Sequence, residues 1–393
     1  MKIVVSATIA LILISAGAAY LMVNPNAAPA AAGASINTQT KSIIFDTSRI
    51  VELLTALLGK APVPAPLPPA PVLSTTTVPF APLASSTAAE KASSTAPKTA
   101  AAKVIPLTAT ETSLGLVLPS LRSALVNIVC LPNKSGTGLR GISGTGVIID
   151  PRGIILTVAH VAQYELLAEA RPDLISCVVR TGSPASSAYS VAPVYVSGRW
   201  IDQYAKIISS AEPRGSGEND FALLAITSSA TKTPLPTTFP FVPLSPNTPA
   251  KDDPIVIGSY GAEFLTSASI RSGIFPTLVF GTVRDRFTFD TDTIDVISLG
   301  GGAAAQEGSS GGGAINSSGQ LIGLITTRST ANDLANRDLR AITLTYLQRA
   351  FRTESGDSLS DYLEQNPSAL VEEYSGQADR LAGKLIKANR IGD

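Results

Sequence analysis

Short apolar segments separated by turn-forming residues fill the chain from about residue 113 to residue 344. Gly, Pro, Asn and Ser stand between the segments, as expected where one strand ends and the next begins. Asp150-Pro151-Arg152-Gly153 connects two of the segments and has Asp first, Pro second and Gly fourth, which a type I turn prefers. The pattern predicts a mostly β domain, a sandwich or a barrel, which we place at residues 113–348.

The chain changes character after this domain. Residues 346–353 have helical spacing, and residues 367–389 predict a second helix with Pro367 near its first turn. We treat residues 349–393 as a C-terminal helical extension. The apolar face of the second helix is expected to pack on the domain or on a second copy of the chain. That face consists of Leu370, Tyr374, Leu381 and Leu385.

An apolar run from Ile3 to Val23 follows Lys2 at the N-terminus. It is long enough to cross a bilayer once, which takes about 20 residues in a helix. Ala16-Gly17-Ala18 also resembles a signal-peptide cleavage site, so residues 1–23 are either an uncleaved signal anchor, which we favour, or a removable signal peptide. The single Lys before the run predicts a cytoplasmic N-terminus, an exported domain and, with the anchor, attachment to the membrane.

Residues 24–112 are expected to tether the domain. Residues 42–60 have the spacing of a short amphipathic helix, which lies either on the membrane surface or on the domain. From residue 61 to about residue 103 the chain is mostly Pro, Ala, Ser and Thr. Such a segment favours extended polyproline II, so we interpret it as a semi-rigid stalk.

Charge and cysteine content narrow the possible partners. The formal net charge is +0 and 15% of the residues are charged, with no basic run, so no nucleic-acid partner is expected. The two cysteines and one histidine lack the spacing of a zinc site, and we expect no metal and no cofactor. Cys130 and Cys177 each lie in an apolar segment and form either a disulfide, as an oxidising compartment permits, or two buried thiols. The sequence leaves the oligomeric state open.

A glycine-rich stretch, residues 306–315, contains Ser309 and Ser310 among four glycines. Glycine adopts backbone angles that other residues avoid and lets the main chain approach another group closely. Such a stretch can display a serine hydroxyl beside inward-pointing amide hydrogens, as acyl-transfer chemistry requires. In isolation it is more typical of a flexible loop.

His160, the only histidine, stands at the end of the apolar segment 154–159, and Asp220 opens the apolar segment 221–226. A serine hydroxyl is a weak nucleophile and needs an imidazole to take its proton. The imidazole in turn needs a buried carboxylate that fixes its tautomer. The order His, Asp, Ser, each in a suitable local context, therefore predicts a hydrolytic triad.

These segments resemble chymotrypsin-type serine peptidases, nearest the bacterial HtrA-type branch. The resemblance is carried by residues 143–149 with 157–160, by residues 219–224 and by residues 308–312, and it spans roughly residues 120–348. It implies a double six-stranded antiparallel β-barrel with the active site in the cleft between the barrels. No PDZ module is expected.

The resemblance also implies individual roles. His160 is similar to the general base, Asp220 to the carboxylate that orients it, and Ser310 to the nucleophile. The main-chain N–H groups of Gly308 and Ser310 would form the oxyanion hole. Ser309 stands where other members have Asp or Asn, so activation by a freed N-terminus is not expected.

Four further residues match the substrate cleft. Ala304 corresponds to the floor of the specificity pocket and implies a small or medium apolar residue before the cleaved bond. Thr326 and Thr327 match the strand that lines the cleft, and the Thr326 hydroxyl is expected to support Asp220. Arg328 stands where many members have Gly, so it either narrows the pocket or contacts acidic groups of the substrate.

Two functions follow as hypotheses. The first is a serine endopeptidase that cleaves proteins or peptides outside the cytoplasm. The second is a catalytically silent peptidase fold that serves as a tethered binding or scaffold module.

Overall fold

The computed structural model describes residues 109–134, 138–209, 215–231, 233–290 and 292–391. The predicted anchor or signal peptide, the amphipathic helix and the Pro-rich stalk lie outside these residues and stay predictions. Within the described ranges, no helix combines the length and apolar character needed to span a membrane.

Six antiparallel strands close into a first barrel in the order β1-β2-β3-β6-β5-β4. Strand β1 lies between β2 and β4, and its pairing with β4 sets Cys130 directly opposite Cys177, where the two form a disulfide. The strands of this barrel are β1 (Leu125–Pro132), β2 (Ile142–Asp150), β3 (Ile154–Thr157), β4 (Ile175–Gly182), β5 (Ala185–Val196) and β6 (Ala222–Ser229).

The remaining strands form one seven-stranded antiparallel sheet in the order β8-β7-β11-β12-β13-β10-β9. They are β7 (Pro254–Ser259), β8 (Thr277–Thr282), β9 (Asp285–Phe287), β10 (Val296–Gly300), β11 (Gly313–Asn316), β12 (Leu321–Arg328) and β13 (Leu339–Thr343). The mostly β prediction is confirmed. The second half differs from a closed six-stranded barrel because β10 pairs with β13 on one edge and with the short β9 on the other, so β8 and β9 end the sheet.

Helix α1 (Ala109–Ala124) leads into β1 and was not predicted from the sequence. Its Leu121 is buried against the second sheet, where a Cβ added to Gly258 of β7 would lie 2.8 Å from the Leu121 Cδ2 atom. Three short helices follow along the chain: α2 (Ala159–Ala170), α3 (Gly198–Tyr204) and α4 (Ser267–Ser272).

The C-terminal helices are α5 (Leu344–Ser355), α6 (Leu359–Glu364) and α7 (Pro367–Asn389). Helix α7 begins where the Asn366 side chain accepts a hydrogen bond from the Ser368 amide, with Pro367 in the first turn. Tyr374 binds the backbone of Val196 in β5 twice, at 2.8 Å each, since its hydroxyl accepts from the amide and donates to the carbonyl. The apolar face of α7 therefore packs on the first barrel of its own chain.

One large hydrophobic core joins the two halves of the domain. It contains Leu156 and Leu223 from the first barrel, Val256 and Leu324 from the second sheet, and Leu381 of α7. Because the core is continuous, the loops at the ends of both sheets hold fixed positions relative to each other.

Candidate active site

His160 lies in the first turn of α2, directly after β3 ends at Thr157. The carboxylate of Asp220 accepts two hydrogen bonds from it, one from the backbone N–H at 3.0 Å and one from Nδ1 at 2.7 Å. The first satisfies an amide that the start of a helix leaves without a partner. The second holds the proton on Nδ1 and leaves Nε2 as the basic nitrogen.

Strand pairing explains why His160 and Asp220 meet. Thr157 of β3 lies opposite Ala222 of β6, so the residues that follow β3 and precede β6 are neighbours at the same end of the barrel. Asp220 is only 3% exposed, and its amide donates to the Gly217 carbonyl in a tight turn. The burial gives the carboxylate little competition from water.

The Ser310 loop contacts the same end of the first barrel. The Ser310 carbonyl accepts a 2.9 Å hydrogen bond from the Thr145 amide of β2. A Cβ added to Gly311, whose φ is +86°, would lie 1.9 Å from the Thr145 carbonyl oxygen and 2.4 Å from the Thr157 hydroxyl. Only glycine permits this approach, which brings Ser310 next to the strand that ends just before His160.

The structure thus brings the three predicted triad residues to one region. A triad needs two hydrogen bonds, one between His160 and Asp220 and one between His160 and Ser310, and the first is formed. Across the described residues, no hydrogen bond joins His160 Nε2 to the Ser310 hydroxyl. Catalytic hydrogen bonds are often long in enzymes without substrate and shorten when substrate binds.

The peptide between Glu307 and Gly308 has a fixed orientation. The Glu307 carbonyl accepts a 2.7 Å hydrogen bond from the Ala262 amide. Because the peptide is planar and trans, the N–H of Gly308 points away from Ala262. Gly308 has φ +89°, and a Cβ there would lie 2.6 Å from the Tyr260 carbonyl oxygen, so only glycine fits. This geometry suits an oxyanion donor at Gly308.

Thr145 links the loop to the barrel, a role that sequence reasoning did not assign. Its hydroxyl donates to the Gly308 carbonyl at 2.7 Å and accepts from the Tyr260 amide at 2.9 Å. Its position within the segment 143–149, which carries the family resemblance, was the available signal.

Residues 144–324 match the family model of the trypsin-like peptidase domain. This part of the chain is therefore a trypsin-like peptidase domain. The match includes His160, Asp220 and Ser310, and it confirms the resemblance stated from the sequence.

Two solved structures similar to this chain are bacterial proteases. The active form of the Rv3671c protease from M. tuberculosis has a TM-score of 0.41 and 16% identity, covering 66% of this chain and 94% of that one. The serine endoprotease from Yersinia pestis has a TM-score of 0.39 and 19% identity, covering 64% of this chain and 68% of that one. No curated protein matches the sequence.

Ser309 and Ala304 are both buried in the peptidase domain. The Ser309 hydroxyl donates to the Ala304 carbonyl at 2.6 Å and accepts from the Ser259 hydroxyl at 3.1 Å. Ser309 is therefore an uncharged internal support of the Ser310 loop. The contact also ties Ala304, the predicted pocket floor, to the residue before Ser310.

The three predicted cleft residues of β12 differ in their surroundings. Thr327 is partly exposed, whereas Thr326 is buried and its hydroxyl has no hydrogen-bond partner among the residues that the structure describes. The expected hydrogen bond from Thr326 to Asp220 is thus not formed; the Thr326 hydroxyl lies instead beside Gly217, 2.8 Å from where a Cβ would stand. Arg328 donates to the Glu307 carboxylate at 3.2 Å, so its guanidinium lies against the Ser310 loop.

Cys130, Glu165 and Cys177 place possible metal-ligand atoms within 4.8 Å of one another. Both sulfurs belong to the disulfide, so neither is available as a thiolate ligand. Burial, and secondarily Glu169, raises the pKa of Glu165 to about 8. A neutral carboxylic acid beside a disulfide is a poor metal site.

Proposed function

We propose that this protein is an exported serine endopeptidase that cleaves protein substrates through a Ser310–His160–Asp220 triad and an acyl-enzyme. The observation that carries the proposal is the 2.7 Å hydrogen bond between His160 Nδ1 and Asp220, at the end of the barrel that the Ser310 loop contacts. The match to the trypsin-like peptidase domain supports the same reaction class.

In the proposed reaction, the Ser310 oxygen attacks the carbonyl carbon of the cleaved peptide bond while His160 Nε2 takes the hydroxyl proton. Asp220 keeps the other proton on Nδ1 and stabilises the imidazolium. His160 then protonates the leaving amine as the C–N bond breaks, which leaves an ester on Ser310. Water then attacks this ester while His160 takes its proton, the ester C–O bond breaks, and His160 returns the proton to the Ser310 oxygen as the acid product departs.

The tetrahedral intermediates carry a negative oxygen. The N–H of Gly308, directed away from Ala262, and the N–H of Ser310 are the proposed donors to it. Donors held in place before the reaction require no reorganisation as charge develops, and the loss of one costs about 10²–10³ in rate. The buried Ala304 supports a preference for a small or medium apolar residue before the cleaved bond.

Action outside the cytoplasm is part of the proposal. The apolar run of residues 3–23 supports export, and anchoring follows if this segment is retained. The Cys130–Cys177 disulfide supports an oxidising compartment, since such bonds are rare in the cytosol.

The nucleophile is tested with a fluorophosphonate probe and fluorescent casein. Ser310→Ala is expected to lose covalent labelling and at least about 10³-fold of casein cleavage, because the proposed reaction assigns the attacking hydroxyl to Ser310. Its melting temperature should stay within ~2 °C of wild type, since Ser310 is only partly buried.

Ser318→Ala, an exposed turn serine, is the matched control and should keep full labelling. Labelling of Ser310→Ala at the wild-type rate would exclude Ser310 as the nucleophile. A folded wild-type protein that resists the probe would favour the silent scaffold instead.

A further inference from the structure

A bidentate ion pair joins Glu263 to Arg337 beside the nucleophile loop. The two guanidinium nitrogens lie 2.5 and 2.7 Å from the Glu263 carboxylate oxygens. The Arg337 side chain is 6% exposed and that of Glu263 is 18% exposed. Glu263 follows β7, and Arg337 precedes β13, 74 residues further along the chain.

Both partners of this pair bind the backbone just before Gly308. The Glu263 carboxylate accepts a 3.1 Å hydrogen bond from the Glu307 amide. Arg337 donates to the Ala305 carbonyl at 2.7 Å, in addition to its bidentate ion pair with Glu263. The ion pair therefore holds the loop by an amide and by a carbonyl two residues earlier.

Ala262, the residue next to Glu263, also binds the backbone of Glu307. Ala262 donates its amide to the Glu307 carbonyl, so the N–H and the C=O of Glu307 are bound by two consecutive residues. The Ala262 bond orients the peptide plane that carries the Gly308 N–H, and the Glu263 bond fixes the preceding peptide, from which that plane would have to turn. A half-turn of that plane would point a carbonyl oxygen where the negative oxygen of the intermediate has to be bound, and would remove one donor.

The loop has no ionic support of its own at the residue before the nucleophile. Ser309 is uncharged and its hydroxyl binds Ala304. Among the described residues, the ion pairs at the loop are Glu263 with Arg337, and Arg328 with Glu307 and, at 3.9 Å, with Glu263. Of these, only Glu263 and Arg337 bind the loop's backbone.

Resting on the proposed function, we infer that Glu263 and Arg337 are positioning residues for the oxyanion hole: they hold the Glu307–Gly308 peptide with its N–H directed into the cleft. Neither side chain touches the reacting atoms. Their loss should slow the chemical step without weakening substrate binding to the same degree.

The test uses the full chain with Glu263→Gln and Arg337→Lys. Glutamine keeps the shape of the Glu263 side chain but loses the negative charge that binds Arg337 and the Glu307 amide. Lysine keeps the positive charge of Arg337 but cannot make the two parallel hydrogen bonds to Glu263. We expect Glu263→Gln to lower the fluorophosphonate labelling rate by about 10–10²-fold, with Arg337→Lys intermediate, since the donor is misplaced rather than deleted. For casein, kcat should fall while KM stays within about threefold.

Two readouts separate positioning from simple support of the fold. Asp150→Asn is the matched control, because Asp150 forms a bidentate pair with Arg152 at the far end of β2, and its labelling should stay within about twofold of wild type. The Nδ1 proton of His160, from the chain's single histidine, should keep its NMR shift in Glu263→Gln, which shows that the base is undisturbed.

The outcomes distinguish this inference from the proposed function. If wild type is labelled and the folded Glu263→Gln variant is labelled at the same rate, the inference is overturned and the peptidase assignment stands. If Glu263→Gln does not fold, Arg337→Lys decides in the same way. If wild type is not labelled, or Ser310→Ala is, the proposed function fails and the inference fails with it.

Discussion

Glu165 is buried on α2, the helix that carries His160, and its Oε1 atom has no partner among the described residues. Burial, and secondarily Glu169, raises the pKa of Glu165 to about 8. The pKa of Glu169 rises to about 7, mainly through its own burial and then through Asp379 of α7. At neutral pH the folded protein therefore keeps a proton on Glu165 that the unfolded chain releases.

This proton makes stability depend on pH. The Glu165 carboxyl ionises near pH 4.5 in the unfolded chain and near pH 8 in the folded protein. Its contribution to the free energy of unfolding is therefore complete below about pH 4.5, and it is lost as the pH rises through 8. Glu165→Gln removes the titration, and we expect its melting temperature to exceed that of wild type by ~3 °C or more at pH 8, and by less at pH 5.

Thermal unfolding at the two pH values measures this difference. Glu372 is an exposed glutamate on α7, and Glu372→Gln is the control, which should leave the melting temperature unchanged at both pH values. An equal shift of the Glu165→Gln variant at both pH values would contradict the assignment of this titration to Glu165.

At the scale of elements, α7 acts as a cover of the first barrel. Leu370, Leu381 and Leu385 are at most 1% exposed, and Tyr374 binds β5. The helix also packs against α2, so it supports the element whose first turn contains His160. A segment outside the matched family region therefore contributes to the core of the peptidase domain.

Leu381→Ala tests this contribution. The variant is expected to lower the free energy of unfolding by about 2–5 kcal/mol, because it leaves a cavity under the helix. Lys387→Ala, on the exposed face of the same helix, should change it by less than about 0.5 kcal/mol. Urea denaturation measures both. A Leu381→Ala loss no larger than that of Lys387→Ala would mean that α7 does not stabilise the barrel.

At the scale of the whole molecule, the described residues from Ala109 onward form one compact unit. Both sheets share its core, and the candidate triad takes residues from each: His160 and Asp220 from the ends of β3 and β6, and Ser310 from the loop before β11. Neither half contains the triad alone, so the site requires the two halves to dock as they do.

The Pro-rich composition of residues 61–103 predicts where a protease will first cut the full chain. Brief treatment with proteinase K should yield a resistant fragment that starts near residue 98–113 and is labelled by the fluorophosphonate within about twofold of the intact protein. Mass spectrometry identifies the fragment. First cuts within the strands would contradict the compact unit.

Much of the site was predictable because each candidate residue stands in a short, recognisable segment of the sequence. His160 at the end of one apolar segment, Asp220 at the start of another, and Ser310 among glycines each stand at a strand end or tight turn, and the structure has them there. The mostly β architecture followed in the same way, since turn residues punctuate short strands.

Other features depended on which strand edges meet. The three-residue β9 carries no periodic signal, yet it takes the free edge of β10 and leaves the second sheet open. The Thr326 hydroxyl was expected to support Asp220, but it lies beside Gly217 without a hydrogen bond among the described residues.

The sequence by itself determined the reaction class, the order of the three candidate triad residues and the strand-rich character of the domain, because each is carried by short local segments. Only the tertiary structure decided that Glu263 meets Arg337, that the Glu307–Gly308 peptide is held in one orientation, and that α7 covers its own barrel. Those contacts join residues far apart in sequence, and their distances come from strand pairing and core packing, which no local pattern encodes.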